Sequence, residues 1–200
     1  MKKIVHKRLS LRILCILMLL VAIHSPKLIS AQDIPPPNPE LDINILSGND
    51  ILFVFDEISE YKNGIMNAGQ ITYIRIGSIT KWQLTFKADQ IMFYGNVNPA
   101  HQMELNNVGV VVVSTGTNQD DGIATVNYAK ASPLCLESND VLLLNPGTGT
   151  NRGYGIKNAF SLFWEMGTKR GNMNTISMLE QNLAPDMYTV TITLTLTPVF

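Results

Sequence analysis

The chain has 200 residues, 46% of them hydrophobic and 16% charged, with a formal net charge of −1. That near-neutral value hides an asymmetry: six of the fifteen Lys and Arg residues (Lys2, Lys3, Lys7, Arg8, Arg12, Lys27) precede Gln32, and all sixteen acids lie beyond it. The chain from Gln32 onward is therefore acidic and has no basic cluster, which makes it a poor partner for nucleic acid or anionic lipid.

Residues 1–31 read as a signal peptide. A basic start is followed by an apolar run from Ile13 to Ile23, and Leu28-Ile-Ser-Ala31 ends on a small residue, so cleavage before Gln32 is expected. An uncleaved membrane anchor is the alternative, because short anchors and secretory apolar regions overlap in length. Cys15 lies inside the apolar run, which is the wrong place for a lipid-modified first residue. Removing the leader leaves about 170 residues, enough for one domain with a real core. Residues 32–40 are proline-rich and read as an extended tether. Residues 41–200 then form a single domain.

Leu41, Ile43 and Ile45 alternate with Asp42 and Asn44, which predicts a first strand ending at Ser47-Gly-Asn-Asp50. Ile51-Leu-Phe-Val-Phe55 is continuously apolar, as in a strand covered on both faces or a short buried segment. Asp56 to Gly69 is polar and carries the turn signal Asn63-Gly64. A strand resumes from Gln70 to Ile76. Trp82, Leu84, Phe86 and Ala88 then face one way, with Gln83, Thr85, Lys87 and Asp89 facing the other. Ile91–Tyr94, Val108–Ser114, Ile123–Tyr128, Val141–Leu144 and Ser161–Met166 are further strands. Asn174 to Asn182 is the one place that suits a short helix.

The clearest pattern is the last. Tyr188, Val190, Ile192, Leu194 and Leu196 alternate with Thr189, Thr191, Thr193, Thr195 and Thr197, the signature of a strand with one buried and one wet face. Asn182-Leu-Ala-Pro-Asp186 reads as the turn that aims it into the sheet. The fold expected is all-β, an antiparallel immunoglobulin-like β-sandwich of about eight or nine strands. Trp82 and Trp164 are natural fillers of its core.

Residues with chemical potential are few. Gly147-Thr-Gly-Thr-Asn-Arg-Gly-Tyr-Gly155 reads as a flexible hairpin loop; a phosphate cradle would need a helix behind it, and Ala159–Trp164 reads as a strand. Asn118-Gln-Asp-Asp121 offers oxygens to Ca²⁺ but lacks the acid spacing of a dedicated loop, so it reads as a solvated turn. Asp56, Glu57 and Glu60 form a charged loop face with no reason to pair for acid–base work. His101 is the only histidine after the leader, so zinc sites of several histidines are excluded and any catalytic triad would have to use it. Cys135 is the only cysteine there, which rules out an intramolecular disulfide. Between Leu134 and Leu136 it reads as a small buried hydrophobe, with a reactive thiol as the alternative. No Gly-x-Ser-x-Gly elbow is present. An enzyme is not expected, nor is a cofactor, a metal or a small-molecule substrate. The threonine row could be read as an ice- or crystal-binding array, but one strand gives only a line, and a β-propensity face open to water explains it.

Trp82-Gln83-Leu84 in an early strand, taken with Tyr188-Thr-Val-Thr-Ile-Thr-Leu-Thr-Leu-Thr197, resembles WxL-type cell-surface domains. That family carries a Trp-x-Leu element and a terminal strand in which a second tryptophan stands where this chain has Leu194. The resemblance covers about twenty residues and implies a secreted β-sandwich surface protein. The terminal strand also looks like that of pilin subunits, which exchange strands between neighbours, although Met187 stands where their usual glycine would be. These readings converge on an exported (periplasmic, cell-surface or extracellular), non-enzymatic structural or adhesion protein, fimbria-like or wall-associated, whose partners are envelope components or other surface subunits. A glycan-binding module is the alternative, with Tyr94, Tyr128 or Tyr154 as its platforms.

Overall fold

The structure is a computed structural model, and it describes residues 41–66, 69–117, 124–125, 132–146 and 151–200. The expected leader and tether, the Asn118–Asp121 turn and Tyr128 lie outside the described residues. No described helix is long and apolar enough to cross a membrane.

The described chain is mostly strand. β1 (Leu41–Ser47), β2 (Ile71–Ser78), β6 (Val108–Ser114), β8 (Leu134–Cys135) and β10 (Ala159–Met166) form a five-stranded sheet in the order β1-β2-β10-β6-β8. β3 (Lys81–Ala88), β7 (Ala124–Thr125), β9 (Val141–Asn145) and β12 (Ile192–Val199) form a second, ordered β12-β3-β9-β7. β4 (Met92–Gly95), β5 (Gln102–Glu104) and β11 (Tyr188–Thr189) make a small third sheet with β4 in the middle. Every pairing is antiparallel.

Alternation dictates which faces close on the core. Trp82, Leu84, Phe86 and Ala88 of β3 are buried, while Gln83, Thr85 and Lys87 between them are only half-buried. β2 contributes Ile74 and Ile76, β6 contributes Val110 and Val112, and β10 contributes Phe160, Leu162 and Trp164. Two edge-on aromatic contacts join the larger sheets: Trp82 meets Phe160 at 5.9 Å and Phe86 meets Trp164 at 6.2 Å between ring centroids. Such geometry adds about 0.5–1.5 kcal/mol per pair beyond the area buried. The Trp164 indole N–H donates to Thr72 Oγ1 at 2.9 Å, so the one polar atom of that ring is satisfied inside the core.

Four segments depart from the sequence reading. Ile51–Phe55 joins no sheet and is not covered on both faces. Its side chains alternate: Ile51, Phe53 and Phe55 pack against the core, whereas Leu52 and Val54 are 62% and 59% exposed. The polar stretch after it contains a short helix, α1 (Ile58–Asn63). Its entry is fixed by Glu60, whose carboxylate accepts the N–H groups of Asp56 and Glu57, a reciprocal arrangement known from helix N-termini. The short helix expected over 174–182 is absent; turns occupy the segment. Ser177 donates its hydroxyl to Glu180 Oε2 at 2.6 Å, and Asn174 Oδ1 accepts the Ile176 N–H, so side chains compete with the helical ladder. The terminal alternation is not one strand but two. Tyr188 and Thr189 pair with β4, Val190 and Thr191 step out of the ladder, and Ile192 onward pairs with β3.

Candidate functional site

The terminal segment finds all its ladder partners within the same chain. β12 runs against β3 without a slip, from Ile192 opposite Ala88 to Val199 opposite Lys81. Val190, Ile192, Leu194 and Leu196 pack against the core, and Tyr188 joins them from β11. Thr189, Thr191 and Thr193 are exposed, while Thr195 and Thr197 are half-buried. The crossing between sheets is made by Asp89, whose carboxylate accepts the Thr191 N–H and whose own N–H donates to the Thr191 carbonyl, both at 3.0 Å. Tyr188 is fixed by its hydroxyl, which donates to the Ala184 carbonyl at 2.7 Å.

Trp82 and Leu84, the Trp-x-Leu pair, are both wholly buried. Trp82 is held by a fully buried asparagine. Its backbone N–H donates to Asn151 Oδ1 at 3.1 Å, Asn151 Nδ2 donates to the Trp82 carbonyl at 2.7 Å, and the indole N–H donates to the Asn151 carbonyl at 2.6 Å. Asn158, also fully buried, donates its amide to the same carbonyl. Gly153 exchanges two backbone hydrogen bonds with Ser78. The glycine-rich stretch, from Asn151 onward, is therefore a pinned crossover between sheets. A single 3₁₀ turn, Gly155–Asn158, comes after it and before β10, so the segment has no helix to turn toward a phosphate.

His101 sits in a turn that Asp186 organises. The Asp186 side chain is inaccessible to solvent. It accepts N–H groups from Val97, Asn98 and Met187 and faces His101 Nδ1 at 2.9 Å. The Val97 N–H leads those donors in holding the carboxyl down at about 2, against the desolvation that opposes it. Asn98 fixes the tautomer of the imidazole. Its Oδ1 accepts the Ala100 N–H, so its Nδ2 amide faces His101 Nε2 at 3.2 Å and donates to it. Nδ1 then carries the proton and donates to Asp186. With both ring nitrogens occupied, the pair works as a clip that closes the 95–101 turn onto the 182–187 turn. A Cβ on Gly95 would lie 2.3 Å from Asp186 Oδ2, so the clip leaves no room for a side chain there.

One site was missed by sequence reasoning. Glu165, only 3% exposed, points away from the core on β10. It accepts the Thr168 hydroxyl at 2.7 Å and Arg170 Nη1 at 2.8 Å, and Arg170 also contacts the Met66 sulfur. Glu165, Arg170 and Met66, together with Val111, Val113, Phe163 and Trp164, line an open groove of about 310 Å³. The sequence signal was the single charged residue, at an outward position of a mostly apolar strand.

The remaining candidates stay apart. Cys135 is buried, its sulfur directed at Glu137, and burial pushes its thiol up to about 11, helped by the Glu137 charge. It shares no partner with His101. Asp56 and Glu60 do meet: Glu60 raises the Asp56 carboxyl, while its own is lowered by the backbone N–H groups of Asp56 and Glu57. Both stand in water at the head of α1. Tyr94 lies in β4 opposite Thr189 and Gln102, whereas Tyr154 lays its ring against Gly77 of β2. Among the described residues, no three His, Cys, Asp or Glu side chains cluster in a way that could hold a metal ion. No known protein family matches this chain, and no curated protein matches it.

Proposed function

We propose that this chain is an exported, non-enzymatic protein of the cell surface with a structural or adhesive role, an immunoglobulin-like β-sandwich that closes its own fold. The observation that carries the reading is the unbroken in-chain register of β12 on β3. A subunit built on strand donation would leave that position for a neighbour. On this reading the domain completes itself and displays its loops, which favours it over the donated-strand version of the fimbrial reading. The wholly buried Trp82 supports the same view of the Trp-x-Leu element: its ring organises the interior, and contact with an envelope component falls to the exposed surface.

Size-exclusion chromatography over a wide concentration range, together with protease shaving of intact cells, tests the proposal. A constant monomer and surface-accessible protein are expected. Dilution-resistant ladders that reform when a Tyr188–Phe200 peptide is supplied to a chain truncated before Tyr188 would favour strand donation. Protein confined to the cytoplasm would overturn the exported role.

A further inference from the structure

Ile51–Phe55 has the side-chain period of a strand, but among the described residues no strand pairs with it. Its inner residues pack on the core, and among the described residues it makes no backbone–backbone hydrogen bond. Among the described residues two of its main-chain groups are engaged, both by side chains: the Leu52 N–H donates to Gln70 Oε1 at 2.9 Å, and the Phe55 carbonyl accepts the Tyr61 hydroxyl at 3.1 Å. In an extended chain, successive residues turn their N–H and C=O groups to opposite sides. With Leu52 turned toward Gln70, Phe53 presents its donor and acceptor on the other side, where the Phe55 carbonyl already meets Tyr61. A core-anchored extended segment whose edge is open at Phe53, with two exposed apolar side chains, is the geometry on which a second strand adds.

The charges around it select the partner. From Leu41 to Tyr61 the chain carries five acids (Asp42, Asp50, Asp56, Glu57, Glu60) and no Lys or Arg. Two of them, Asp50 and Asp56, bracket the open segment directly. A second copy is a poor occupant, because antiparallel self-pairing centred on Phe53 sets Asp50 of each copy opposite Asp56 of the other, and like charges directly opposed destabilise. A strand with apolar residues in its middle and Lys or Arg at its ends meets both demands. It also sets a positive charge beside Asp56, whose carboxyl is raised first by its hydrogen bond with Glu60 and then by the Glu60 charge. We infer that Ile51–Phe55 is a docking edge for an extended, basic-flanked segment of another protein, bound by strand addition at Phe53. The inference goes beyond the surface role proposed above and does not depend on where the protein resides.

The test uses the purified protein and the blocked peptide Lys-Thr-Val-Thr-Val-Thr-Lys, monitored by fluorescence anisotropy and by amide hydrogen exchange. Binding should weaken with salt and should protect the Phe53 amide. N-methylation of alternate peptide nitrogens should abolish it, because strand addition needs those donors. Leu52→Lys with Val54→Lys should weaken binding about tenfold or more. Both side chains are exposed, so melting of the protein should be unchanged. Replacing Asp50 and Asp56 together by Lys should reverse the preference toward a Glu-flanked version of the peptide. The inference is overturned if the basic peptide fails to bind at millimolar concentration, or if its N-methylated form binds equally well. It is also overturned if the protein self-associates through this edge and Val54→Lys dissociates it, since the occupant is then a second copy.

Discussion

Asn151 and Trp82 meet across 69 positions of sequence through three hydrogen bonds, with no solvent contact for either residue. The asparagine side chain mimics a neighbouring peptide group, offering one acceptor and one donor to the main chain of β3. Its own carbonyl takes the indole N–H, which would otherwise be a buried orphan.

Asn151→Leu should therefore be among the most damaging substitutions in the molecule. It leaves the Trp82 N–H and C=O buried without partners, and the expected loss is about 2–4 kcal/mol. Urea unfolding of the variant, read by tryptophan fluorescence, checks this. A midpoint within error of the parent would mean that the clasp is replaceable by water.

Ile192→Asp and Thr193→Asp separate the two faces of β12. Ile192 packs on the core and Thr193 is exposed. Because Ile192 is half-buried, the expected cost of its replacement is about 2–3 kcal/mol, below that of a central core site. Thr193→Asp should cost less than about 0.5 kcal/mol. Equal shifts in thermal midpoint would contradict the register.

Acid should loosen the Asp186 clip. The folded carboxyl titrates at about 2, below its ordinary value of 3.8. The unfolded chain therefore binds the proton first as pH falls. The stabilisation is fully present above the ordinary value and is lost as pH drops from there through about 2. Asp186→Asn should be less stable than the parent at neutral pH, with the gap narrowing over that acid window. Melting curves of both proteins across the window give the answer; a gap that stays constant would remove Asp186 from the acid response.

Cys135 should resist alkylation while the protein is folded. A thiol held near 11 and 4% exposed has almost no accessible thiolate at neutral pH. Mass spectrometry after iodoacetamide should show an unmodified folded protein and one adduct at Cys135 once urea exposes it. Rapid labelling of the folded form would reopen the reactive-thiol reading.

Much of this architecture was legible in the residues. The strict alternation from Trp82 to Ala88 became a strand with the expected faces, and Val108–Ser114 became the strand expected there, buried along nearly its whole length. The first is a strong signal because its burial repeats with the period of the backbone. The break at Val190–Thr191 was not legible, because the cause is Asp89, 102 positions away from Thr191 in sequence. That Ile51–Phe55 finds no ladder partner among the described residues was hidden for a similar reason. Composition records that a segment is apolar, but not whether a neighbour lies within hydrogen-bonding reach. Of the polar sites, Asn151 and Glu165 matter through partners that only folding supplies. Their neighbours in sequence look like loop and strand.

The place of β10 between β2 and β6 has a consequence for biosynthesis. Both flanking strands leave the ribosome well before their shared neighbour: β2 ends at Ser78 and β6 at Ser114, while β10 begins at Ala159. During that interval the Val108–Ser114 strand, five of whose seven residues are valine, lacks its main ladder partner. Non-local pairings of this kind fold slowly and expose sticky edges meanwhile. Until Met166 has emerged, the nascent chain keeps that edge unpaired by β10. Slowing elongation between Ser114 and Ala159 should raise the fraction that aggregates.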